Sequence, residues 1–195
     1  KELTFGGSSN TTVGGVITGT GGSLVKQGTG TLTLSGVNTY TGGTAINAGI
    51  LSVIEDSGLG DSSGALMLSG GTLQYGAAFT LSGSRVLTTS SSTSGINTNG
   101  NSVTIFQGIS GSGGITKSGS GTLTLSGVST YTGGTTISAG TLALTGGGSL
   151  VATGAVTING TATFDITALS SGAMTIGDLT TASGTTVALG GKVLT

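Results

Sequence analysis

Residues 24–51, LVKQGTGTLTLSGVNTYTGGTAINAGIL, recur at residues 115–142 as ITKSGSGTLTLSGVSTYTGGTTISAGTL, with a constant offset of 91 and 20 of 28 positions identical. Upstream, Ile17–Gly22 (ITGTGG) recurs as Ile109–Gly114 (ISGSGG), with one residue inserted in the first copy. This duplication constrains the fold more than any single motif. A repeat that cannot bury its apolar side alone must stack on its neighbours. Inside each copy the period is two. Leu32 and Leu34 alternate with Thr31, Thr33 and Ser35, and Leu123 and Leu125 alternate with Thr122 and Thr124. Such alternation places leucine on one face of a strand and threonine on the other. Gly36, Gly42-Gly43 and Gly49, with Gly127, Gly133-Gly134 and Gly140 in the second copy, mark tight corners.

Further short alternating pieces occur at Leu66–Leu68, Leu73–Tyr75, Phe79–Leu81, Val103–Ile105, Val156–Ile158, Phe164–Ile166 and Val187–Leu189. No stretch repeats apolar residues with helical spacing, so essentially no helix is expected. A sandwich or ordinary barrel wants longer strands with hairpin turns. A transmembrane barrel wants strands of about 9–11 residues and aromatic girdles, and this chain has three Tyr, four Phe and no Trp. The pattern predicts an all-β, parallel β-solenoid filling residues 1–195 as one domain, with repeat copies at 22–53 and 113–144. Coils of roughly 20 residues, stacked about 4.8 Å apart, give roughly nine to ten coils and a rod about 45 Å long.

Composition narrows function by what is missing. Gly contributes 42 of 195 residues, and Gly, Ser and Thr together make up about half the chain. Disorder is not the reading, because Leu, Ile and Val are regularly spaced and proline is absent. Without proline every residue keeps the backbone N–H that a strand bonded on both edges requires. Without Cys or His there is no thiolate nucleophile, no Ser-His-Asp triad and no cysteine or histidine metal site. Neither catalysis nor a cofactor is expected. Five scattered cations against six anions supply no basic stripe, so nucleic acid is not an expected partner. The apolar runs fall far short of the ~20 residues of a membrane-spanning helix, so no membrane insertion is expected. The residues begin without a charged-then-apolar leader; a signal peptide is expected to be already removed or to lie outside them.

Gly28–Leu51 (GTGTLTLSGVNTYTGGTAINAGIL) and Gly119–Leu142, with its TGGTTISAGTL, resemble the autotransporter passenger-associated β-strand repeat. The resemblance covers the two copies; the other segments are similar only in style. It implies a right-handed parallel β-helix from an exported, type V secreted bacterial surface protein, in which the repeat serves transport and stacking. The membrane barrel that follows such passengers is not within these residues.

Candidate sites are few. Glu55, Asp56 and Asp61 cluster in EDSGLGD and are weak candidates for a hard cation or for a carboxylate pair acting on sugar. The run lacks the G-G-x-G-x-D calcium pattern, and a solvated loop is the plainer expectation. Asp165, between Phe164 and Ile166, points outward. Tyr40 and Tyr131 occupy equivalent places and are candidate surface contacts, each packing its ring over a corner with its hydroxyl in water. Lys26 and Lys117 place charge just before a strand. Thr31, Thr33, Thr122 and Thr124 are candidate outward contacts. An ice-like array would need such pairs on one face in coil after coil, whereas the sequence repeats them strongly only about 91 residues apart.

The expected role is therefore a non-enzymatic scaffold or stalk of an exported, adhesin-like cell-surface protein. One alternative is an extracellular filament whose subunits stack through uncapped ends, since KELTFGG and GGKVLT read as strands. Another is an ice- or carbohydrate-binding surface built from the outward threonines. Expected partners are further copies of the chain, end to end or side by side, and a host surface or its glycans.

Overall fold

The computed structural model describes all residues, Lys1–Thr195. The chain winds as a parallel β-solenoid with three faces, each built from strands that are non-consecutive in sequence. The first face stacks Glu2–Phe5, Ser23–Lys26, Thr44–Ile46, Leu66–Leu68, Leu87–Thr89 and Ile109–Gly111. It resumes at the far end as Ala173–Met174 paired with Val193–Leu194. The second face is continuous, with nine strands running from Thr11–Val13 to Leu179–Thr181. Its nine strands count about nine coils. The third face has five strands, from Val103–Ile105 to Thr186–Ala188. In the early coils extended segments close this side through single bonds, such as Thr39 N–H to the Ile17 carbonyl at 2.9 Å.

Every strand pair is parallel, and partners are offset by one coil: Glu2 lies against Ser23, Thr31 against Ile50, Thr72 against Gly95. Because each strand exposes alternate residues, the register converts period-two alternation into columns. Leu32, Leu51, Leu73, Ile96, Lys117, Ile137 and Ile158 form one interior column of the second face. The inward side chains merge into one apolar cluster of 34 buried residues along the rod. Stability thus comes from many similar interfaces between coils. The single helical element is a short 3-10 turn, Asp56–Leu59, on a corner excursion.

Corners bring main chain against main chain. A Cβ on Gly121 would overlap the carbonyl of Asn101 one coil earlier, and its counterpart Gly30 meets Ser9 in the same way. Gly121→Ala should therefore destabilise by more than the ~1–3 kcal/mol of an overpacked core, since backbone cannot step aside as a side chain does. Gly83→Ala, where a Cβ meets nothing within 4 Å, is the control. Equal denaturation midpoints for the two variants would refute the steric argument.

Candidate functional site

The two copies do not lie one above the other. Leu24 stacks through Thr44, Leu66 and Leu87 onto Ile109, four coils on along the first face. Its sequence counterpart, Ile115, lies in the next strand, on the second face. The duplication therefore advances four coils and one face. Accordingly Thr31 and Thr33 project from the second face, and Thr122 and Thr124 from the third. The four threonines do not form one array.

Other threonines do recur coil after coil. Thr116, Thr136, Thr157 and Thr180 stack on the second face, and Thr122, Thr141, Thr163 and Thr186 on the third. These are single columns and not the paired threonines of an ice-like array, since Thr124 stacks on Ala143 and then on Asp165. Successive coils differ in length by a few residues, so no fixed spacing reveals the columns in the sequence.

The lysines expected to place charge just before a strand lie within strands, Ser23–Lys26 and Ile115–Ser118, and are interior. Lys26 is 3% exposed and Lys117 is 0% exposed. The Lys117 ammonium donates to the carbonyls of Ser118, Gly119 and Ala139 at 3.0, 2.8 and 3.0 Å. The Lys26 ammonium donates to Gln27, Gly28 and Ala48 at 2.7, 2.8 and 3.3 Å. Gly28 and Gly119, at φ +70° and +78°, are in the left-handed region, and their carbonyls accept from the lysine. Burial lowers the Lys26 pKa and pushes Lys117 down to about 8; the three carbonyl dipoles oppose that displacement. Each copy thus carries the same ammonium clamp between consecutive coils.

Tyr40 and Tyr131, expected at the surface, are 2% and 1% exposed. Their hydroxyls are not in water but bonded to Thr44 and Thr135, at 2.7 and 2.6 Å. Each ring turns inward from the segment before a strand, and the threonine that opens that strand, four residues on, supplies a partner for the polar tip. Neither ring offers a stacking platform to a sugar. Burial raises the pKa of all three tyrosines, Tyr40, Tyr75 and Tyr131, and pushes Tyr131 up to about 12. The associated stability is complete below pH 10, the phenol's ordinary value, and is lost as the pH rises through the folded value. Tyrosinate absorbance should thus stay flat through pH 10 and appear in one step with alkaline unfolding. A smooth titration near pH 10, with secondary structure intact, would contradict the burial.

Arg85 is the largest polar residue that the sequence reading missed, and it is 0% exposed. Its Nε and Nη2 reach the Asp56 carboxylate at 3.0 Å each. Nη1 donates to the Gly64 carbonyl at 2.8 Å and Nη2 to the Gly60 carbonyl at 3.1 Å. The expectation of a solvated loop is therefore wrong for Asp56, which ties the excursion Ile54–Gly64 to the start of a later coil. The only signal was compositional: a single arginine in a chain so poor in charge, downstream of an acidic run. Asp61 is exposed and accepts from both the N–H and the hydroxyl of Ser63, which hold its carboxyl below the usual range. Glu55, Asp56 and Asp61 belong to no group of three metal-ligating side chains. Asp165 is half-buried on the third face and accepts from the Thr167 N–H at 2.8 Å.

With Lys26, Arg85 and Lys117 inside, only Lys1 and Lys192 remain as outer cations, one at each end. Two shallow concavities, of about 380 and 280 Å³, lie over the first coils, and Glu2 is the one carboxylate in either. No paired acid and base converge there.

Residues 24–53 and 115–144 each match the family model of the passenger-associated-transport-repeat. The chain carries two copies of this repeat. Each match spans an ammonium clamp, a Tyr–Thr pair and all or most of four strands. No curated protein and no solved structure matches the chain. The matches fall on the two repeat copies and leave the other segments outside the family model.

Proposed function

We propose that the chain is a load-carrying length of an exported bacterial passenger, a non-enzymatic shaft that holds other parts of its protein away from the cell surface. The observation that carries this reading is the unbroken nine-strand second face wrapped on one apolar cluster. A parallel ladder of this kind resists bending, because each inner coil is bonded to both neighbours, by a continuous ladder on the second face and by shorter sheets and single bonds on the other two. The interior polar groups support the same reading, since the clamps of Lys26, Lys117 and Arg85 spend their donors on backbone carbonyls and Asp56. The test is to place the chain between a membrane anchor and a fluorescent tag on a bacterial surface. Energy transfer to a membrane dye should report a tag displaced by about 45 Å, the height of the stack at about 4.8 Å per coil. A tag that stays at the membrane overturns the proposal.

A second reading, a hydroxyl-lined contact surface, is favoured by the two threonine columns. The hydroxyls of Thr116, Thr136, Thr157 and Thr180, and of Thr122, Thr141, Thr163 and Thr186, have no protein partner, unlike those of Thr44 and Thr135. Such a surface would meet an uncharged hydrogen-bonding partner, either ordered water or a neutral glycan. Thermal-hysteresis and glycan-array measurements that both return nothing would dismiss it.

A further inference from the structure

We propose that Asn99 and Asn159 are sites of spontaneous deamidation, by which the rod alters its own surface charge without an enzyme. The chain has seven asparagines. Four have side chains tied to the backbone. Asn10 accepts from the Thr31 N–H at 2.9 Å and Asn97 from the Asn99 N–H at 2.8 Å. Asn101 donates to the Tyr75 carbonyl at 3.0 Å. Asn38 is held at both ends, by Ile17 and Gly58. Of the three free side chains, Asn47 precedes alanine, whereas Asn99 and Asn159 precede Gly100 and Gly160.

Both Asn-Gly pairs are exposed and lie on the same corner, between the second and third faces, three coils apart. Neither glycine N–H is engaged in a hydrogen bond. The glycines are uncrowded: a Cβ on Gly160 would meet nothing within 4 Å, and one on Gly100 would meet only Ser120 Oγ at 3.7 Å. Asn99 is also the only non-glycine residue at positive φ, 49°, a conformation that lowers the cost of remodelling the turn.

In the reaction the main-chain nitrogen of the glycine attacks the side-chain carbonyl carbon of the asparagine. A C–N bond forms, the bond to the amide nitrogen breaks, and ammonia leaves with the proton of the glycine N–H. Water then opens the cyclic imide at either carbonyl, giving aspartate or isoaspartate. No oxidant or reductant enters. Each event adds a negative charge to flanks whose only outer cations are Lys1 and Lys192. Opening toward isoaspartate also inserts a methylene into the main chain at the corner.

The test is to incubate the folded chain at neutral to mildly alkaline pH and map its peptides by mass at intervals. Replacement of –NH2 by –OH should accumulate at Asn99 and Asn159 several-fold faster than at Asn47, with isoaspartate detected by enzymatic methylation. Asn99→Ser and Asn159→Ser should each abolish the gain in its own peptide alone. The proposal fails if the folded chain keeps both amides while the denatured chain loses them, or if Asn47 converts as fast. Conversion at one pair alone removes the other from the assignment.

Discussion

Arg85→Ala should destabilise the middle coils by about 3–5 kcal/mol, the range for removing one partner of a buried ion pair. The side chain has no access to water, and its removal strips donors from Asp56 and from the carbonyls of Gly60 and Gly64 together. Asp56 is 19% exposed, so water recovers part of its solvation and the lower half of the range is the better expectation. Hydrogen exchange is the measurement of choice, because a stack of coils opens locally before it unfolds as a whole. Amides of Ile54–Gly64 and Ser82–Leu87 should lose protection first. Arg85→Lys keeps the charge but cannot present the planar fork, and should lie between wild type and alanine. Unchanged protection in Arg85→Ala would mean that the contact is dispensable.

Lys117→Met should cost about 2–3 kcal/mol. Three carbonyls lose the ammonium, and each buried carbonyl left without a donor costs ~1–3 kcal/mol. The Ser118 carbonyl keeps the Thr98 N–H and the Thr98 hydroxyl, which leaves Gly119 and Ala139 as the orphaned pair. Lys26→Met should cost less, since its bond to the Ala48 carbonyl is longer, at 3.3 Å. The two clamps are coils apart and share no partner, so their effects should add in the double variant. Guanidinium denaturation followed by circular dichroism checks this. A neutral Lys117→Met would show that these lysines are merely tolerated inside.

The fold was legible because its two signals, the duplication and the period of two, are both local in the chain. Leu32 and Leu34 announce an inward side, and glycines announce corners, whatever lies above or below. What stayed hidden depends on contacts between coils. Lys26 sits in an alternating strand exactly where an inward leucine could be, but a lysine there reads as surface until the three carbonyls that receive it are known. Tyr40 and Tyr131 follow the same logic: the partner threonine is four residues on, and only the corner folds it back onto the hydroxyl. The Asp56–Arg85 pair spans 29 residues and carries no periodic mark. The threonine columns were hidden by arithmetic, since coils of unequal length scatter a vertical line into irregular intervals.

The displacement of the second copy by four coils and one face is, geometrically, a screw operation. Applied again, it would carry a motif round the rod like a thread on a bolt, back to its starting side after three steps and thirteen coils. Whatever the motif presents to its surroundings would then be offered in every direction about the axis, so a shaft of this kind needs no preferred rotation to meet what it touches.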